Sequence, residues 1–293
     1  MNKGLKITAI IGLGAMLIGA TTMGIGYFGN HQKINNITLD KGFKIQKMTT
    51  KSNYAIKSFQ SLKIDVKNVD LDIVQGSTLK LKTTLDQNEK VKLTQTGDEL
   101  QMTVRSERDN ENGFVINTEQ RHITLTIPKE MTVRQLAINS NASAIMIQKL
   151  SVLENTDINQ HDSGLILDDV TFNHATINNT QAGTRVEGGQ FTDSNFVNQD
   201  GPFRSIGGHF LGNSKIEASN DDINLSGLNS DLMITADNRD GEIKLSGIQS
   251  ENTTRSTQDG KMQQHTTFGA SDQNKLQITN SEGNVTISNL SES

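Results

Sequence analysis

The chain of 293 residues contains no cysteine and no tryptophan, and only two prolines and two tyrosines. Without cysteine it has no disulfide, no thiolate metal site, no cysteine nucleophile and no lipid-bearing N-terminal cysteine. That absence does not exclude an extracellular location. Aromatic residues make up 4% and hydrophobic residues 33% of the chain. So few large apolar groups argue against a wide two-layer core and leave room for a narrow one filled by Ile, Val and Leu. Two prolines suit strands that use every ladder donor. A net charge of −5 argues against a nucleic-acid partner. The lack of Trp and the scarcity of Tyr remove the aromatic platforms on which sugars often stack.

What the chain does have is a phrase repeated about every twenty residues. It runs through Ala144–Leu150, Gly164–Val170, Asp222–Leu228, Glu242–Ile248 and Asn284–Leu290, with weaker copies at Gly183–Gly189 and Pro202–Gly208. The first apolar slot falls at Ile145, Leu165, Thr184, Phe203, Ile223, Ile243 and Val285, in steps of 20, 19, 19, 20, 20 and 42, the last close to two turns. Within a copy apolar residues alternate, as at Ile223 and Leu225, which marks a half-buried strand. A second strip keeps step: Ile138, Ile158, Ile177, Val197, Ile216, Ile234 and Ile278. Glycines share one phase at Gly188, Gly207, Gly227 and Gly247, where sharp corners are expected. Asparagines share another at Asn139, Asn159, Asn178 and Asn198, either as a stacked amide ladder or as solvated turn residues. These features predict an all-β fold, a β-solenoid of the parallel β-helix type. Its turns are about 20 residues long, and about eight of them make a rod of roughly 40 Å.

Ile7 to Asn30 carries no charge, and Lys3 and Lys6 precede it. The run is about long enough to cross a bilayer and has no small-x-small cleavage site, so an uncleaved single-pass transmembrane helix is expected. Lysines on both flanks leave the orientation open by charge alone. The division expected is 1–30 membrane anchor, 31–55 basic linker, 56–135 β-rich cap or irregular first turns, and 136–293 repeat solenoid. The basic segment is either a solvated tether or a contact for anionic headgroups or wall polymers. From Tyr54 to Pro128 the alternation at Leu62–Val66, Val69–Ile73, Leu79–Lys82, Val91–Leu93, Leu100–Val104 and Ile123–Ile127 predicts further strands, and Arg105 to Asn117 a polar loop.

Several of these segments resemble a known family. The residues are Ile64–Ile73, Ile123–Lys129, Leu136–Ser140 and units such as Asp240–Leu245. The pattern is similar to the bacterial β-strand-repeat family labelled "putative adhesin", a domain of unknown function. The likeness covers roughly Phe59 to Leu290 and rests on strand and turn patterns. It implies a membrane anchor followed by an extracytoplasmic β-solenoid, with an envelope-related role. The family supplies no catalytic residues to carry over. The copies at Thr184 and Phe203, and the stretch around Gln263, depart from the pattern.

No catalytic, cofactor-binding or metal-binding residue is expected. The histidines share no repeat phase, so no zinc set forms from them. Asp168-Asp169 and Asp221-Asp222 are neighbours whose side chains point apart in a strand. Asp237–Glu242 lacks the spacing of a calcium loop and reads as a corner. The one suggestive column is Arg185 and Arg204, in the same outward slot on successive turns, where two guanidiniums could grip a phosphate or carboxylate. Glu187, two residues along, could neutralise the first. The preferred reading is a membrane-anchored, non-enzymatic β-solenoid on the outer face of the membrane, in adhesion, cell-wall contact or envelope sensing. Its partners would be the membrane, through the N-terminal helix, and a wall polymer or envelope protein. The alternatives are a polysaccharide-active β-helix enzyme and a scaffold that polymerises through a bare final turn ending at Leu290.

Overall fold

The computed structural model describes residues 36–39, 43–46, 48–105, 114–117, 120–248 and 252–291. Every regular element among them is a β-strand, and none of them forms a helix long and apolar enough to cross a membrane. The expected helix at 7–30 lies outside the described residues. Two compact units are present. The smaller contains a three-stranded antiparallel sheet of Asn36–Leu39, Phe43–Gln46 and Phe114–Asn117. Asn36–Leu39 and Phe43–Gln46 fall in the segment read as a linker or loose strand. Phe114–Asn117 falls at the end of the expected loop, so that part of the loop is corrected to strand.

The larger unit is a solenoid-like stack with two strand ladders, in sheets of 11 and 15 strands. The first apolar slot forms one parallel column in register: Ile145, Leu165, Thr184, Phe203 and Ile223. Each of these residues is buried, as alternation on a half-buried strand requires. The second strip aligns Ile138, Ile158, Ile177, Phe196, Ile216 and Ile278. Phe196 replaces the expected Val197 and Ala236 the expected Ile234, because the strands start one or two residues out of the assumed phase.

The two weak copies are regular for a reason the repeat pattern hides. Phe172, Phe191 and Phe210 stand in register on short third strands, 19 residues apart. Phe191 meets Phe210 at 5.7 Å and Phe196 at 5.1 Å, and Phe196 meets Phe203 at 5.4 Å. The Phe191–Phe210 pair is stacked and the other two are edge-to-face, and these contacts add to burial.

The corners are left-handed in columns. Lys149, Asp169, Gly188, Gly207, Gly227 and Gly247 take φ of 55°, 52°, 66°, 70°, 63° and 73°, so the glycine phase is a corner column begun by two non-glycines. A second column of Ala142, Asp162, Gln181, Asp200, Asn220, Asp240 and Glu282 is left-handed throughout without a single glycine. Most of its corners are sealed from inside. Ser140, Gln160, Asn179 and Asn198 form a buried column that resumes at Asn280 and Asn238. Gln160 Nε2 donates to the carbonyls of Ser143 (2.6 Å) and Ser163 (3.1 Å), and Asn179 Nδ2 to Gly183 (3.0 Å). Asn198 donates to Gly201, Asn280 to Asp221 (3.2 Å) and Asn238 to Gly283 (2.9 Å). Asn198 therefore belongs to this inner column, opposite Asn179, and not to the outer Asn139–Asn159–Asn178 column. In the outer column Asn178 Nδ2 donates to Asn159 Oδ1 at 2.9 Å.

The ends differ most from expectation. Val285–Ser291 does not follow Ile243–Ser246 by two turns. It is slotted between Ile223–Asn229 and Ile243–Ser246, paired in parallel with both, so the final turn is not a bare edge. Lys275–Ser281 is likewise inserted between Asn213–Ser219 and Met233–Arg239. The insertion is tight: a Cβ on Gly283 would lie 2.1 Å from the Asp221 carbonyl oxygen. The first turn is enclosed in the same way. Ser61–Lys67 lies between Glu99–Arg105 and Val133–Asn141, and Asp70–Gly76 between His122–Pro128 and Ile145–Gln148. Antiparallel hairpins close both ends of the larger sheet, through Gly97-Asp98 at one end and Asp259-Gly260 at the other. Such two-residue turns match the twist of paired strands and end a parallel ladder without an apolar edge.

Phe196 touches three other rings and is 1% exposed, whereas Leu153 is 48% exposed. Phe196→Ala is expected to lower unfolding free energy by about 3–5 kcal/mol. Leu153→Ala is expected to change it by less than about 0.5 kcal/mol. Urea denaturation of both variants measures the contrast.

Candidate functional site

Outward residues of each strand inherit the register of the inward ones, so the surface is ruled in columns. Thr184 and Val186 point into the core and Arg185 and Glu187 out, and the next strand repeats this with Phe203 and Ser205 in, Arg204 and Ile206 out. Arg185 and Arg204 are register partners, which sets their backbones about 4.8 Å apart. Arg185 is ion-paired with Glu187. Both groups are more than a third exposed, so water screens the pair and its contribution is small. Arg204 makes no ion pair among the described residues, and its neighbour on the far side is Asn224. Asp168 is the register partner of Glu187 and accepts a hydrogen bond from Gln148 Nε2 at 3.0 Å. The result is a mixed patch of two guanidiniums beside two carboxylates on an open sheet surface.

The other polar candidates serve corners. Asp169 is itself a left-handed corner residue, while Asp168 faces out from the strand. Asp221 accepts from the Asp222 amide at 2.7 Å, and Asp222 accepts from the Asn284 amide at 2.7 Å. In the Asp237–Glu242 stretch the carboxylates diverge. Asp237 meets His265, Asp240 meets Lys261 at 3.2 Å, and Glu242 meets Lys244 at 3.5 Å. Glu282 hydrogen-bonds the same Lys261 at 2.8 Å, and these contacts raise the Lys261 pKa above its ordinary value. His161 Nδ1 bonds Thr180 Oγ1 at 2.7 Å, and His174 lies 4.0 Å from Asp193. No group of three or more His, Asp or Glu side chains able to hold a metal ion occurs among the described residues.

Sequence reading missed three long-range clusters. His265 Nδ1 lies 2.7 Å from Asp237 Oδ1, with Nε2 3.2 Å from Thr267 Oγ1. His122 Nε2 lies 2.9 Å from Asp72 Oδ2. Arg121, Asp86 and Glu89 form a nearly enclosed ion cluster, with Arg121 Nε 2.9 Å from Asp86 Oδ2 and 3.0 Å from Glu89 Oε1. Their partners lie tens of residues apart, and no local spacing signals them. The spacing of Phe172, Phe191 and Phe210, by contrast, was legible.

With the geometry in place, the chain can be classified. The Toastrack DUF4097 family model matches residues 59–288, and the chain belongs to that family. No curated protein matches it. Among solved structures it is similar to a "putative adhesin" from Bacteroides fragilis (13% identity, 83% of this chain and 97% of that one, TM-score 0.38). It is also similar to a "putative cell adhesion protein" from Clostridium sporogenes (8% identity, 83% and 99%, TM-score 0.31). A third is a "putative lipid binding protein" from Parabacteroides distasonis (11% identity, 82% and 96%, TM-score 0.47).

Two outcomes follow from the clusters. Arg121, Asp86 and Glu89 have side chains 11%, 10% and 14% exposed. Arg121→Ala strands two carboxylates and is expected to cost about 3–5 kcal/mol by chemical denaturation, while Arg105→Ala, in an exposed and solvent-screened pair, is expected to cost far less. The hydrogen bond that His122 Nε2 donates to Asp72 raises the His122 pKa, against burial that lowers it. A raised folded pKa gives stability that is complete below the unfolded value of about 6.5 and is lost as pH rises through the folded value. The stability difference between the native chain and His122→Asn should therefore be larger at about pH 5.5 than at about pH 8.5. Equal differences at the two pH values would contradict this.

Proposed function

We propose that the chain is a single-pass membrane protein whose β-solenoid body stands outside the membrane and acts without catalysis, by adhesion or contact with the cell wall. The uncharged run Ile7–Asn30 behind Lys3 and Lys6 supports the tether. The observation that carries the reading is the outward face of the 15-stranded sheet. There Ala137, Asp157, Thr176, Asn195 and Lys215 form one column and Asn139, Asn159 and Asn178 begin the next. Mostly polar side chains recurring at about 4.8 Å suit many weak contacts with a repetitive polymer better than one deep site for a small substrate. The paired Arg185 and Arg204 add an anion contact on the other sheet, for a phosphate or carboxylate on such a polymer.

Protease treatment of intact cells carrying a C-terminally tagged chain tests the placement. Loss of the tag without loss of a cytosolic marker is the expected result. A protected tag would place the body inside and end this reading.

A further inference from the structure

The outward side of the 15-stranded sheet forms a cleft where the C-terminal hairpin closes it. Four strands frame the space: Lys275–Ser281, Met233–Arg239, Lys261–Phe268 and Asn252–Gln258. Their register sets the lining on a grid. Thr279, Asp237, His265 and Thr254 make one row, and Arg239, Gln263 and Ser256 the next. Neighbours along a row are about 4.8 Å apart and the rows about 7 Å apart. The cleft is shallow and open, about 180 Å³, smaller than the roughly 300–1,000 Å³ of enclosed small-molecule sites and suited to a short segment of a longer chain.

We propose that this cleft binds a neutral, hydroxyl-rich ligand, a segment of a glycan chain. This deepens the wall-contact reading and takes its biological sense from it. Three features argue for that chemistry. Hydroxyls, an amide, a carboxylate and a guanidinium together offer both donors and acceptors, as a polyol requires. Asp237 opposes Arg239 in charge, so the lining is no trap for an anion. No Val, Leu, Ile, Met, Phe or Tyr side chain lines it, which disfavours an apolar peptide or a lipid tail. The imidazole is also held in place on both sides, by Asp237 at 2.7 Å and Thr267 at 3.2 Å. A side chain already immobilised loses less freedom when a ligand arrives.

Isothermal titration of the purified full-length chain in detergent tests this, with tetrasaccharides of β-1,4-linked N-acetylglucosamine, β-1,4-linked glucose and α-1,4-linked glucose as probes. Saturable binding of at least one is expected, weakened about ten-fold or more by His265→Ala. Thr254→Val with Ser256→Ala removes two exposed hydroxyls without touching the Asp237–His265 contact, and should weaken binding as well. Thr94→Val, an exposed position at the far end of the same sheet, should leave it unchanged. Binding of none of the three sugars, or binding indifferent to the cleft variants, overturns the proposal. So does preferential binding of poly(glycerol phosphate) that is lost in Arg239→Gln. Titration uses purified protein and tag shaving uses cells, so failure of this site and failure of the membrane placement are separately visible.

Discussion

The stack depends on buried amides near the ends of its long strands. A chain that coils in layers must turn sharply, and at every such turn backbone carbonyls are carried inward, away from water. An unpaired buried carbonyl is costly. Gln160, Asn179, Asn198, Asn280 and Asn238 donate to those carbonyls from inside. The left-handed residues beside them keep the ladder running through the corner: Asp162 N donates to Thr180 O, Gln181 N to Gln199 O and Asn220 N to Ser281 O. With both needs met, Asp, Asn, Gln and Ala occupy a backbone region that usually favours glycine. The register at the corner then sets the register of both strands, and through them the core columns and the surface grid.

The ends obey a different constraint. A parallel ladder exposes its last strand to any passing chain. Here the last sequence repeat lies one strand inside its sheet edge and the first several strands inside, and the strands outside each come from elsewhere in the chain. The outermost strands of the larger sheet are then antiparallel hairpins with polar residues, such as Asn252–Gln258. Val285–Ser291, flanked on both sides, contributes long-range pairings that a simple coil lacks. Closing the stack late also means that loop closure over many residues precedes the gain from those pairings, which slows folding.

The same register that builds the core distributes chemistry over the surface. Side chains on successive layers stand side by side whether or not their interaction is favourable, as with Arg185 and Arg204 or Asp168 and Glu187. Residues within one layer are kept apart by alternation, which is why Asp168 and Asp169 do not converge. One polar cleft lies where the C-terminal hairpin interrupts the layering, over Asp237 and Arg239.

The periodicity of Ile145, Leu165, Ile223 and Ile243 determined the layered β architecture, because a half-buried strand forces alternation and stacking forces repetition at fixed length. The glycine phase likewise marked one corner column, and the outward slots of Arg185 and Arg204 followed from the same count. Phe172, Phe191 and Phe210 also recur every 19 residues in the sequence, at a phase separate from the aliphatic slots. Tertiary structure alone decided the layer order, the inner amide column and the pairs His122–Asp72, His265–Asp237 and Arg121–Asp86. Repetition fixes what a layer looks like and is silent on which layers are neighbours. Val285 fits the same slot beside Ile223 as it would beyond Ile243, and only the closing of the ends distinguishes the two.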